Sequence, residues 1–197
     1  SVKVTDEFMK AVVDEEYYDL TFVRPETNEE IVKRVFAPDI FKQLCENNWN
    51  YAEPGILYWD NIQRFNLLQF DDNFEYAGVN PCAEEPLPAG GSCLLGSLNL
   101  AAFVDEDEWG PKFAFEDFED AVELAVVALN EVLDEGLPLH PLEEQRKSVA
   151  DWRQIGLGIF GLADMLIQLD YKYGSRDAKI LCHKIARTMA TAALRSS

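Results

Sequence analysis

Apolar residues along the chain recur either at every second position or at intervals of three and four, and switches between the two periods divide it into strands and helices. Val2-Lys3-Val4 alternates like a short strand. Thr5 with Asp6 and Glu7 behind it predicts a helix running through Val13, because a hydroxyl caps free N–H groups and acids suit the helix dipole. Tyr17–Val23, rich in aromatic and β-branched residues, predicts a strand that Arg24-Pro25 closes; the charged residues up to Arg34 predict a connection. From Pro38 to about Tyr51, Ile40, Phe41, Leu44 and Cys45 recur at helical spacing, so this helix is expected to bury Cys45 as ordinary core. Glu53-Pro54-Gly55 breaks it, and a short strand at Ile56–Trp59 and a helix near Asp60–Phe65 follow. Tyr58, Trp59 and Phe65 are expected in the core rather than on a base-stacking surface, since few basic residues lie nearby.

Further on, Pro81 and Pro86 each lack a backbone donor and restrict the preceding residue to extended geometry, which argues against helix. In an extended segment alternate side chains share a face, so Asn80, Cys82 and Glu84 would aim an amide, a thiol and a carboxylate at one point. This row predicts a strand edge or a loop finger covering about 78–100, with Ser92-Cys93 after a Pro/Gly-rich connection. Leu95–Val104 continues toward a helix or a barrel wall. Asp105–Glu108 predicts a solvated acidic loop without the residue pattern of a calcium site. The strongest helix spans about Phe115–Glu135, with Phe118, Val122, Ala125, Leu129 and Val132 as its apolar stripe and Gly136 as its stop. A shorter helix covers about Leu142–Val149. Gly156-x-Gly158-x-x-Gly161 has the spacing of a dinucleotide fingerprint, but Asp151-Trp152-Arg153-Gln154 before it supply no apolar strand to deliver the first glycine into a turn. Those glycines instead predict a strand passing closely into a helix over Leu162–Leu169, and Ser175-Arg176-Asp177 opens a last helix.

Composition narrows the classes. A chain of 197 residues with 48% hydrophobic and 12% aromatic content is globular rather than disordered. The formal charge of −19 would repel a nucleic-acid backbone or an anionic membrane surface, so neither is expected as a partner. Four cysteines without an apolar N-terminal signal segment point to a reducing, cytoplasmic setting. His140 and His183 lack partners at zinc-ligand spacing, and Cys182 and His183, adjacent on a helix, point apart, so no metal site is expected.

Asn80-Pro-Cys-Ala-Glu-Glu-Pro-Leu-Pro-Ala-Gly-Gly-Ser-Cys-Leu-Leu-Gly-Ser-Leu-Asn-Leu100 resembles the active-site segment of the ribonucleotide reductase large subunit, of class I/II type. Trp152-Arg-Gln-Ile-Gly-Leu-Gly-Ile-Phe-Gly-Leu-Ala-Asp164, followed by Tyr173-Gly174-Ser175, resembles the same family in the same order. The resemblance implies an α/β fold in which residues 1–197 form part of a ten-stranded α/β barrel with a central finger loop, truncated at both ends. By that match Cys82 becomes a thiyl radical and removes the ribose 3′ hydrogen, and Glu84 takes the 3′-hydroxyl proton as the 2′-hydroxyl leaves. Asn80 would hold the sugar, and Cys93 would be one of two reducing thiols that end as a disulfide. Its partner thiol, the substrate phosphate loop and the redox tail are expected outside this chain. Leu94 stands where the family commonly has Asn.

The same resemblance implies reduction of a ribonucleoside diphosphate, or a triphosphate, to its 2′-deoxy form, with a thioredoxin- or glutaredoxin-type reductant. The radical would come from adenosylcobalamin, toward which the Asn-Pro-Cys form leans, or from a radical-generating dimetal partner subunit. Two other readings remain open. The chain could be a non-catalytic module that needs complementary segments of the same subunit. It could also be a thiol–disulfide protein using Cys82 and Cys93, although their spacing lacks the Cys-x-x-Cys turn that lowers a thiol pKa.

Overall fold

The computed structural model describes all residues from Ser1 to Ser197 and separates them into two compact units, Ser1–Pro88 and Ala89–Ser197. The class is mixed α/β, as expected. The strands pair two by two in five ladders, and no closed barrel is formed.

The first unit opens with β1 (Val2–Val4) and α1 (Asp6–Val13). Thr5 caps α1 as its side chain demands, its Oγ1 accepting the Phe8 N–H at 3.1 Å. β2 (Tyr17–Val23) is followed by β3 (Glu30–Phe36), the two forming an antiparallel hairpin in unbroken register from Tyr17↔Phe36 to Val23↔Glu30. β3 corrects the expected connection. Its Ile31, Val32, Val35 and Phe36 suit a strand, but Lys33 and Arg34 mask the pattern. The turn is closed by Asn28, in the left-handed region at φ 52°, with Arg24 N–H donating to Glu29 O at 3.0 Å.

α2 (Ala37–Tyr51) packs against α1, and the core of this unit is Val4, Phe8, Ala11 and Ala37 with Tyr18, Ile40, Phe41 and Ile56 around it. Cys45 is not part of it. The buried position in the middle of α2 goes to Leu44, and Cys45, a hundred degrees further round the helix, is exposed. β4 (Ile56–Tyr58) lies parallel to β1, and α3 (Trp59–Arg64) follows. The aromatic cluster expected in the core is also corrected: Tyr58 and Phe65 are exposed, and Trp59 is half-buried beneath the Lys3 ammonium, which stands 3.8 Å from its ring centre. Short strands β5 (Gly78–Val79) and β6 (Pro86–Leu87) end the unit.

In the second unit β7 (Leu94–Asn99) leads through a single 3₁₀ turn into the hairpin β8 (Val104–Asp107) and β9 (Gly110–Phe113). The acidic run therefore lies on a strand and its turn rather than in a plain loop, although it is exposed to water as expected. Lys112 Nζ donates to Asp107 Oδ2 at 2.7 Å, and this bond holds the Asp107 carboxyl below its ordinary pKa.

α4 (Phe115–Gly136), α5 (Glu143–Trp152), β10 (Ile155–Phe160), α6 (Leu162–Gln168) and α7 (Arg176–Ser196) complete the unit. β10 runs parallel to β7 from Ile155↔Leu94 to Phe160↔Asn99. Gly156 and Gly158 lie inside this strand rather than in a turn after one, which removes the dinucleotide reading and supports close passage of a strand into a helix. At Gly158 a Cβ would stand 3.1 Å from Ser97 Oγ. Gly161, at φ +71°, starts α6 where a Cβ would fall 2.1 Å from Asn99 Oδ1.

Phe118, Val122, Leu100, Met165, Leu166 and Ile185 form the buried centre of this unit, with the Phe118 ring edge-on to Phe103 and Phe113. The buried row of α4 is Phe118, Val122, Val126 and Leu133, so the expected stripe is corrected at its end: Leu133 is 6% exposed and Val132 52%. Ser175 caps α7, and Arg195 near its end pairs with Glu119 and Glu123 of α4. Replacing Leu133 with Ala should therefore destabilise the unit by about 2–5 kcal/mol in urea unfolding, and Val132→Ala by under about 1 kcal/mol. The reverse ranking would contradict the burial described.

Candidate functional site

β5 and β6 pair antiparallel, Gly78↔Leu87 and Val79↔Pro86, and the residues between them form a closed loop. Three bonds hold it. Asn80 N–H donates to Glu85 O at 3.1 Å, Ala83 N–H to Asn80 O at 3.0 Å, and Glu85 N–H to Asn80 Oδ1 at 3.1 Å. Asn80-Pro81-Cys82-Ala83 is thus a β-turn with proline at its second position, where the ring already holds the φ required. Ala83 continues the reversal in the left-handed region at φ 69°.

This geometry corrects the extended row. Asn80, Cys82 and Glu84 do not alternate along one strand; they are carried on a single tight hairpin tip, with Cys82 and Glu84 exposed and Asn80 half-buried. The same proline that argues against helix suits a turn as well as a strand, and the turn wins because Asn80 can bond both ends of the loop. Beside it Tyr76 packs edge-on to Phe74, ring centres 5.1 Å apart, and its phenol pKa is raised by burial and secondarily by the Glu85 charge.

Cys93 belongs to the second unit. It is half-buried immediately before β7, its Sγ 3.9 Å from the Leu94 carbonyl, and lines a cavity of about 300 Å³ with Ser92, Leu133, His140 and Gln154. Leu94 N–H donates to Gln154 O at 3.2 Å. The side-chain amide atoms of Gln154 are buried without a hydrogen-bond partner. Arg153, next to it, donates to both carboxylate oxygens of Asp134 at 2.6 and 2.9 Å. This bidentate bond holds the Asp134 carboxyl below its ordinary pKa and raises Arg153. None of the four cysteines is in a disulfide, and no group of three His, Cys, Asp or Glu side chains is gathered to hold a metal. No helix is long and apolar enough to cross a membrane.

Compared with known families, the sequence matches "Ribonucleotide reductase, barrel domain" over residues 1–197. The chain belongs to this family. Among its relatives, the vitamin B12-dependent ribonucleoside-diphosphate reductase of Thermoplasma acidophilum is 36% identical over 185 residues, 94% of this chain and 23% of the relative. The protein of the same description from Mycobacterium tuberculosis is 33% identical over 193 residues, 98% of this chain and 26% of the relative. The ribonucleoside-diphosphate reductase large subunit of African swine fever virus is 33% identical over 166 residues, 82% of this chain and 21% of the relative. The chain spans about a quarter of the length of these curated relatives.

Within this ribonucleotide reductase barrel domain, Asn80, Cys82 and Glu84 are brought together on one hairpin of the first unit, and Cys93 lies at the head of a strand of the second. Leu94 keeps its backbone in the β7–β10 ladder and lines the cavity. The Arg153–Asp134–Asn130 cluster is not legible in the sequence, where Arg153 reads only as one of the polar residues preceding Gly156. Because the Asp134 pKa is depressed in the folded state, its pairing stabilises above the unfolded carboxylate pKa and is lost as pH falls through the folded one. The urea-midpoint difference between wild type and Asp134→Asn is accordingly expected to be full at neutral pH and to shrink below about pH 4. A difference constant from neutral to acid pH would contradict that origin.

Proposed function

We propose that this chain carries the radical-cysteine hairpin and one reducing thiol of a ribonucleotide reductase catalytic subunit, which reduces ribonucleoside diphosphates to 2′-deoxyribonucleotides. The observation that carries the reading is Cys82 at the exposed tip of a tightly bonded hairpin, with Glu84 two residues on, in a chain matching the barrel domain from end to end. The two parallel ladders, β1–β4 and β7–β10, agree with pieces of a ten-stranded barrel wall whose remaining strands lie elsewhere in the subunit.

In this reading the Cys82 thiyl takes the hydrogen from the ribose 3′ carbon, the Glu84 carboxylate takes the 3′-hydroxyl proton as the 2′-hydroxyl departs as water, and Cys82 returns the hydrogen to C3′ at the end, which regenerates its radical. Asn80 has two tasks. Its Oδ1 already closes the loop by accepting the Glu85 N–H, which leaves its Nδ2 to donate to a sugar hydroxyl. Cys93 and a second thiol outside this chain supply two electrons and two hydrogens, so that one ribonucleotide and two thiols become one deoxyribonucleotide, one water and one disulfide. A thioredoxin- or glutaredoxin-type protein then restores the thiols, as the reducing cytoplasm would require.

A thiol cannot generate its own radical. The vitamin B12-dependent relatives favour adenosylcobalamin, which when bound supplies a hydrogen-abstracting radical, and the exposed Cys82 sulfur fits delivery from outside the hairpin. No residue of this chain is assigned to hold that cofactor. The alternative radical source is a dimetal partner subunit. Since the chain spans about a quarter of its relatives, it is expected to be inactive without the complementary segments.

A full-length polypeptide carrying this sequence should reduce a ribonucleoside diphosphate with adenosylcobalamin and dithiothreitol. Cys82→Ser should abolish this turnover, and Glu84→Gln should lower it by about 10²–10⁴-fold. Turnover surviving Cys82→Ser would overturn the assignment; turnover only with a metal-bearing partner would move the radical source.

A further inference from the structure

Arg153 takes φ 46° and ψ 52°, the left-handed conformation that ends α5 and turns the chain into β10. Held there, its guanidinium reaches across to the last turns of α4. Nη1 and Nη2 donate to the two Asp134 oxygens at 2.6 and 2.9 Å, Nε to Asn130 Oδ1 at 3.0 Å, and Nη2 also to the Asn130 carbonyl at 3.3 Å. Asn130 is itself fixed, its Nδ2 donating to Val126 O at 3.0 Å. The next residue, Gln154, accepts the Leu94 N–H and so anchors the backbone directly after Cys93.

The cavity on which Cys93 opens has four walls. Ser92 and Leu94 stand just before and at the start of β7, Leu133 and Gly136 at the end of α4, Val149 and Gln154 on α5 and the residues leading to β10, and the turn holding His140 forms the fourth. One guanidinium ties the second wall to the third, and the third carries the first through the Gln154–Leu94 bond. A planar fork fixes direction as well as distance, which a lysine at the same place would not. Fixed direction matters to a thiol that must form a disulfide, because the two Cβ atoms have to come within about 3.5–4.5 Å at a set dihedral.

We propose that Arg153, paired with Asp134, is a positioning residue for Cys93, setting the depth and direction at which this thiol is presented. The proposal rests on the reading of Cys93 as a reducing thiol. Arg153 touches no substrate in it and acts only through the geometry of the cavity walls.

The test uses the full-length polypeptide, with each cysteine's alkylation by iodoacetamide followed separately by peptide mass spectrometry. Cys182, half-buried on α7 of the same unit, is the internal control. Arg153→Gln is expected to raise the Cys93 rate about tenfold relative to Cys182, and to lower kcat about tenfold with KM changed less than about twofold. Arg153→Lys should recover only part of either. If Arg153→Gln accelerates every cysteine alike, the fold has been lost and Asp134→Asn decides, because it keeps the side chain's size and removes its charge. Asp134→Asn is expected to raise the Cys93 rate about threefold relative to Cys182. An unchanged Cys93 rate and kcat in variants that fold would overturn the proposal. Cys93→Ser separates this from the reading beneath it: full turnover without that thiol overturns the reducing role, whereas an inactive Cys93→Ser beside an unaffected Arg153→Gln overturns the positioning role alone.

Discussion

The parallel pairing of β7 with β10 is the constraint on which the second unit depends. Parallel strands cannot be joined by a tight turn, so the chain must leave Asn99, cross over, and return to Ile155 with a helix laid on the ladder. α4 is that helix. It lies against both strands, buries Phe118, Val122 and Val126, and packs its other flank on α7, where Ala192 leaves room for close approach. The head of the ladder is where Cys93 is held, so whatever secures the start of β10 also secures the thiol.

The hairpin of the first unit solves a different problem with little hydrophobic material. Its strands are two residues each, too short to be stable by pairing alone, and the loop is closed by one asparagine that uses its N–H, its carbonyl and its side-chain oxygen. That economy leaves Cys82 and Glu84 free of structural duty. In the proposed chemistry this is what a radical thiol and its base require: a fixed backbone whose reactive side chains have no structural bonds to give up.

Local signals in the sequence were reliable where a side chain acts on its own backbone. Thr5 and Ser175 cap helices as their positions require, and α2 stops at Tyr51, capped by Ala52 in the left-handed region shortly before Pro54-Gly55. Signals failed where long-range partners decide. β3 was hidden because Lys33 and Arg34 interrupt its apolar residues, although its neighbour β2 specifies the pairing. Leu44 and Cys45 both fall within the helical spacing of the apolar residues, and only the folded structure shows that Leu44 is the one buried. The drift from Val132 to Leu133 likewise depends on what covers the last turns of α4. At the candidate site the residue identities were legible through the family motif, and their arrangement was not: a spacing of two implies a common face only if the segment is extended, and here it turns. The Arg153 fork left no trace in the sequence because its partners lie more than a helix away along the chain.

The central claim is that Cys82 and Cys93 perform separable steps, one opening the ribose C3′–H bond and the other supplying reducing equivalents. The most direct measurement is release of tritium from a 3′-tritiated ribonucleoside diphosphate, followed beside deoxyribonucleotide formation in full-length wild type, Cys82→Ser and Cys93→Ser. The account predicts that wild type forms deoxyribonucleotide with most of the tritium returned to C3′, that Cys82→Ser neither releases tritium nor forms product, and that Cys93→Ser opens the 3′ C–H bond, releases tritium and yields no deoxyribonucleotide. Loss of 3′ tritium from Cys82→Ser, or normal product from Cys93→Ser, would contradict it.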